Sequence, residues 1–268
     1  MINKNGISFI VIGDVHGRTF WKDAIGYENE VPVIFLGDYL DPYGDEGITQ
    51  EEAFETFKEV LHYARNNKNV HLLYGNHDSY AFRDNAMCSC RHDYIRYDDI
   101  FNLFQENKGL FKFAHDEHVN GKRFLMTHAG IHPKWIEENR DVFGDDFKWT
   151  ADEINAHAEE EGFMNALRTY SWRRGGFLTK YGSMVWCDIG DHLDVTNKGD
   201  YDGIPENLVQ VFGHTRSIMA AGFKEYRWLF NVDCKRVVFI DKTGTLRYLD
   251  DGSPVMVFGN QDEDNKEN

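Results

Sequence analysis

Apolar residues gather in short runs, and most of these runs stop at a glycine. Ile7-Ser8-Phe9-Ile10-Val11-Ile12, Val33-Ile34-Phe35-Leu36, Val70-His71-Leu72-Leu73-Tyr74, Arg123-Phe124-Leu125-Met126 and Leu208-Val209-Gln210-Val211-Phe212 have the length and composition of buried strands. Between the second and third, Ala53, Phe54, Phe57, Val60, Leu61 and Ala64 recur at helical spacing over residues 49–66. Thr49 and Glu52 form a capping box that opens this helix. It predicts the crossover that two parallel strands require.

Each run hands over to a short polar segment: Gly13-Asp14-Val15-His16-Gly17, Gly37-Asp38-Tyr39-Leu40-Asp41, Gly75-Asn76-His77-Asp78, Thr127-His128-Ala129-Gly130 and Gly213-His214-Thr215. In an open α/β sheet the ligand site lies beyond the carboxyl ends of the strands. Histidines 16, 128 and 214, Asp14, Asp38 and Asn76 are therefore delivered to one edge. Imidazole and carboxylate donors suit Mn, Fe, Zn or Ni, and an amide oxygen adds a ligand without charge. Two divalent ions about 3.5–4 Å apart share one carboxylate and hold a hydroxide for in-line attack at phosphorus. Asp38, on the second strand, is placed to be that bridge.

The series Asp-x-His, Gly-Asp-x-x-Asp, Gly-Asn-His-Asp, His-Ala-Gly and Gly-His-Thr spans residues 14 to 215. It resembles the calcineurin-like metallophosphoesterases, in particular the phosphoprotein-phosphatase branch that also includes symmetrical dinucleoside tetraphosphatases. The resemblance implies an α/β fold of two stacked mixed β-sheets flanked by helices. It implies Asp14 and His16 on a first metal, Asp38 bridging, and Asn76, His128 and His214 on a second. It also implies His77 as the general acid that protonates the leaving oxygen, with Asp41 orienting it. A histidine near pKa 6.5 beside a carboxylate can hold that proton at neutral pH. The other reading of His77 is a hydrogen-bond donor that only orders the loop.

The chain departs from the family after Asp41. Pro42-Tyr43-Gly44 stands where relatives carry Arg-Gly, so a phosphate-clamping guanidinium is missing. Arg173-Arg174-Gly175-Gly176, then Arg18, then Arg83 are the candidates to replace it. Two further stretches point to different substrates. Met184-Val185-Trp186-Cys187-Asp188 is similar to the Leu-Trp-Ser-Asp of protein phosphatases, whereas His128-Ala129-Gly130-Ile131 with Pro133 and Trp135 is similar to the tetraphosphatases.

Length and composition set the remaining bounds. The 268 residues suit one domain over 1–258, with segments 79–121 and 131–207 inserted near the site and an acidic, disordered tail at 259–268. Thr150 and Glu153 open a helix within the second insert. After His214, residues 228–232, 236–240 and 245–249 read as strands, with a turn at Thr243-Gly244, that complete the second sheet. Asp233 and Asp241 read as turn residues, since six ligands are already assigned. No apolar run is long enough for a membrane span, and the chain enters its first strand at once, so a cytoplasmic location is expected. Cys88, Cys90, Cys187 and Cys234 show no disulfide framework, and Cys88-Ser89-Cys90-Arg91-His92 lacks the spacing of a zinc site.

The net charge of −16 repels polyanions and argues against long nucleic acid as a partner. The expected activity is that of a dinuclear metal-dependent phosphatase, with Mn as the leading metal, acting on phosphomonoesters. Its substrates would be phosphorylated small molecules or phosphoproteins, including phosphoserine and phosphothreonine. A dinucleoside tetraphosphatase, a phosphodiesterase or nuclease, and a scaffold without activity are the competing readings.

Overall fold

The computed structural model describes residues 4–85, 91–176, 179–193, 203–223, 227–255 and 257–258. In chain order the described strands are β1 (Ile7–Ile12), β2 (Val33–Phe35), β3 (Val70–Leu73), β4 (Phe111–Lys112), β5 (His115–Val119), β6 (Lys122–Met126), β7 (Leu208–Phe212), β8 (Ser217–Phe223), β9 (Arg227–Asp233), β10 (Val238–Asp241), β11 (Leu246–Tyr248) and β12 (Val257–Phe258). The helices are α1 (Gln50–Asn66), α2 (Tyr97–Glu106), α3 (Pro133–Glu138), α4 (Arg140–Phe143), α5 (Ala151–Ala156), α6 (Glu161–Leu167) and α7 (Ile189–Leu193). They form an α/β fold with two mixed sheets, ordered β11-β10-β1-β2-β3-β4 and β12-β8-β9-β7-β6-β5.

Burial on both faces explains why β1 is apolar at every position but Ser8. Phe9 and Val11 face the second sheet, where they join Phe124, Met126, Val209, Val211, Phe230 and Val232. The Phe9 and Phe124 rings meet edge to face at 5.5 Å. Ile10 and Ile12 belong instead to the cluster that contains Phe57, Val60 and Leu61 of α1. Covering both faces of a parallel sheet removes the in–out alternation of a half-exposed strand. The α1 helix begins as its sequence demands: Thr49 accepts from the Glu52 amide, and the Glu52 side chain accepts from the Thr49 amide. Full burial of Phe57, Val60 and Leu61 contributes about 1.5–3 kcal/mol each.

β1, β2 and β3 run parallel, and so do β6 and β7. Their carboxyl ends carry the polar segments, so topology brings those segments together at one edge. The helix opened by Thr150 is present as α5, with the Thr150 hydroxyl accepting from the Glu153 amide. Residues 79–121 do more than overhang: β4 extends the first sheet beside β3, and β5 edges the second beside β6.

One expectation needs correction. β10 and β11 pair antiparallel around Thr243-Gly244, but they extend the first sheet through β1 and not the second. Val238 and Ile240 face the layer between the sheets while Phe239 faces the other cluster, so the run carries no preference for either sheet. Of the three runs, only β9 joins the second sheet, between β7 and β8. Asp241 does hold a turn, accepting from the Thr243 and Thr245 amides.

No helix among the described residues is long and apolar enough to cross a membrane. Cys187 and Cys234 are unpaired thiols. Cys88, Cys90 and the 259–268 tail lie outside the described residues.

Candidate metal centre

Backbone hydrogen bonds lock the polar segments to one another. The amides of Val15 and His16 donate to the Asp38 carbonyl at 3.1 and 2.7 Å. The His214 amide donates to Asp14 Oδ1 at 2.9 Å, and the Gly213 amide to the His128 carbonyl at 2.7 Å. Asp78 staples two loops: its Oδ2 accepts from the amides of Asp38 (2.8 Å) and Gly75 (2.7 Å), and its Oδ1 from Tyr39 (3.1 Å). A Cβ on Gly75 would collide with the Asp38 carboxylate, and one on Gly213 with that of Asp14. His16, Asp38, Asp41, Arg91 and His214 all have positive φ. Such conformations cost about 1–2 kcal/mol per non-glycine residue and cluster at functional sites.

The histidines are oriented as ligands. His16 Nδ1 lies 2.7 Å from the Leu40 carbonyl, and His128 Nδ1 lies 2.8 Å from that of Leu36. A carbonyl only accepts, so Nδ1 carries the hydrogen in both rings and Nε2 points into the site. His16 Nε2 is buried without a hydrogen-bond partner, 3.4 Å from Asp38 Oδ2 and 3.9 Å from Asp14 Oδ2. His128 Nε2 lies 2.9 Å from Asn76 Oδ1, 3.2 Å from His214 Nδ1 and 3.5 Å from Asp38 Oδ2. Where Nε2 is bare, these are lone pairs pointed at lone pairs, an arrangement that a proton or a metal cation relieves. Burial opposes charge on His16 and His128, yet both pKa values are raised, because Asp38 and Asp14 attract positive charge. His214 is pushed well below the usual range by burial and by Arg174 and His128.

Two donor groups thus meet at Asp38: one with His16, the other with His128 and His214. His77 also falls within the first group by distance. Its bonding suits another task. His77 Nδ1 is 2.8 Å from Asp41 Oδ2, while Tyr80 donates its hydroxyl to Asp41 Oδ1 at 2.5 Å. The aspartate is fully buried, so it fixes the imidazole ring rigidly.

The arginines separate. Arg174 reaches the His214 loop, donating to Thr215 Oγ1 (2.8 Å) and the His214 carbonyl (3.3 Å), and pairs with Asp188 at 2.8 Å. Arg173 lies against Asp191 at 3.2 Å. Arg18 is buried in a two-point pair with Glu46, and its third nitrogen donates to the Asp14 carbonyl. The Arg83 side chain is outside the described residues. Sequence reasoning missed Arg91: it stacks on Tyr43 at 4.1 Å, donates to the Asp41 carbonyl at 3.2 Å, and comes within 3.4 Å of His77 Nε2. It also missed Tyr80 and the stapling role of Asp78. The tyrosine in Asp41-Pro42-Tyr43 was the available signal, because a ring at that point offers a platform for a guanidinium.

The family model for calcineurin-like phosphoesterases matches residues 7–236, so the chain belongs to that family. It is accordingly a metallophosphoesterase, a hydrolase of phosphoric esters. Among curated proteins none matches. Among solved structures, one similar chain is a protein serine/threonine phosphatase from Saccharomyces cerevisiae with similarity to human phosphatase PP5. The identity is 14%, the match covers 88% of this chain and 73% of that one, and the TM-score is 0.40.

Proposed function

We propose that the protein is a dinuclear metal-dependent phosphatase acting on phosphomonoesters. Asp14, His16 and Asp38 hold one divalent ion, and Asp38, Asn76, His128 and His214 the other. The observation that carries this reading is the single carboxylate, Asp38, shared by two buried donor groups. Mn²⁺ is the first ion to test, and Fe, Zn or Ni also match the donors. When bound, such ions supply the positive charge that activates water and offsets charge developing on the phosphoryl oxygens.

The chain's own residues supply the rest. Asp41 takes the Nδ1–H of His77, so a proton arriving at Nε2 makes an imidazolium that the buried carboxylate stabilises. His77 gives that proton to the leaving oxygen, and Asp41 keeps the ring aimed. Arg91 beside Nε2 and Arg174 beside the His214 loop flank the space where the phosphoryl oxygens sit. A phosphorylated small molecule or a phosphoserine or phosphothreonine segment fits this chemistry.

The test compares p-nitrophenyl phosphate with bis-p-nitrophenyl phosphate on metal-stripped protein supplied with Mn²⁺, with Asp38→Asn as control. Faster turnover of the monoester, abolished in the variant, is expected. Preference for the diester would replace this reading with a phosphodiesterase, and unchanged activity of Asp38→Asn would remove the shared carboxylate.

A further inference from the structure

Asp233 ends β9, directly against the loop that carries Asp14. A Cβ on Gly13 would lie 2.6 Å from the Val232 carbonyl oxygen and 3.2 Å from Asp233 Cα, so the glycine is what lets the two segments touch. Asp233 is 4% exposed, and its Oδ2 is buried with no hydrogen bond among the described residues. The charges acting on it are those of Asp14, His16, Arg18 and Asp38. Arg18 acts on it through charge alone, its Nε and Nη2 being bonded to Glu46 and its Nη1 to the Asp14 carbonyl. A buried carboxylate oxygen with no donor, in the field of two more carboxylates, is unfavourable unless a cation shares the space. The two ion positions also differ in their protein donors. On the reading above, four side chains serve the second and three, Asp14, His16 and Asp38, the first.

We propose that Asp233 gives its carboxylate to the ion held by Asp14, His16 and Asp38, as that ion's fourth protein donor. The inference rests on the dinuclear reading above. It makes the two positions chemically unlike. The first has three carboxylates and one imidazole and favours a hard ion such as Mn²⁺. The second has one carboxylate, an amide and two imidazoles and suits Zn²⁺ or Fe²⁺ better.

The test needs no turnover. Metal-stripped wild-type and Asp233→Asn proteins are titrated with Mn²⁺ by calorimetry, and their thermal unfolding is followed before metal is added. The wild type is expected to bind two ions, and the variant to lose tenfold or more in affinity at one position while the other is unchanged. The stripped variant is expected to melt above the stripped wild type, because a carboxylate facing Asp14 has been neutralised. Two sites of wild-type affinity in Asp233→Asn would overturn the proposal and leave the dinuclear reading intact. Fewer than two ions on the wild type would overturn the dinuclear reading itself. Asp233→Ser guards against a poorly folding amide: if both stripped variants unfold, the carboxylate is a structural group and the proposal fails.

Discussion

Replacing Asp78 by Asn removes the staple under the metal loops while changing hardly any volume. The carboxylate is fully buried and takes three amide donors, from Asp38, Gly75 and Tyr39. An asparagine keeps one oxygen, which can serve the Asp38 and Gly75 amides. Its NH₂ must then face the Tyr39 N–H, donor against donor. Each of the two retained bonds falls from charge-assisted to neutral, a loss of about 1 kcal/mol apiece, and the unpaired donors cost about 1–3 kcal/mol. The expected destabilisation is therefore about 3–5 kcal/mol. Relief of repulsion between Asp78 and Asp38 offsets part of it. Burial and the Asp38 charge raise the Asp78 carboxyl to about 8 even against the three amides, so the loss is expected in full above that pH and shrinks below it. At roughly 2–4 °C per kcal/mol, thermal unfolding of the stripped variant should fall by about 5–15 °C. Mn²⁺ affinity should fall with it, since the Tyr39 amide next to Asp38 has lost its acceptor and the Asp38 amide is held by a neutral one. A variant within 1 kcal/mol of wild type would refute the reasoning and show that the staple carries a proton, which asparagine can imitate.

Acid should unfold the protein partly through neutral, buried histidines. Burial lowers His192 to about 4 and His132 to about 2, against about 6.5 in an unfolded chain. The unfolded chain therefore takes up protons first as pH falls. His192 costs nothing above about pH 6.5 and about 3 kcal/mol by pH 4, so His192→Gln should flatten the fall of stability across that window. An unaltered slope would count against a neutral His192. Asp41→Asn removes the charge behind the His77 imidazolium. It should lower kcat about 10²-fold for esters with poor leaving groups and far less for those with good ones, whereas equal losses on both would argue against proton donation. Arg91→Ala should raise KM for phosphomonoesters tenfold or more, with little change in Mn²⁺ affinity, and titration calorimetry separates the two effects.

The edge of the sheets was readable because each of its strands ends abruptly. β1, β2, β3, β6 and β7 are buried over most of their length, so their runs are largely apolar and the glycine or polar segment that follows marks the strand end. Capping chemistry marked α1 and α5 just as locally. The pattern failed where the information was not local. β8, with Ala220, Ala221 and Gly222 at its centre, carries no strong strand signal. β10 and β11 were placed on the wrong sheet because Val238, Phe239 and Ile240 are apolar on both sides, and only the pairing with β1 decides which sheet they join.

The same division runs through the candidate site. Residues that donate to a metal must follow strand ends closely, and their spacing betrays them. Residues that hold those donors in place reach across the fold: Arg91 finds the Asp41 carbonyl fifty residues away, and Asp78 the Asp38 amide forty away. Asp233 was set aside because six ligands already filled the expected list. What speaks for it is a buried oxygen without a partner, a property of packing that no spacing along the chain records. Glu46 shows the reverse. On the sequence it is one more acid in a chain of charge −16, yet in the fold it gathers Arg18, Arg216 and Lys235 and falls to about 2, chiefly through the Arg18 hydrogen bond. One carboxylate thereby holds three cations, two of which, Arg18 and Arg216, lie over the Tyr43 ring on which Arg91 also stacks. On the proposed reading, an acidic protein in this way keeps positive charge at the edge where a phosphoryl group would bind.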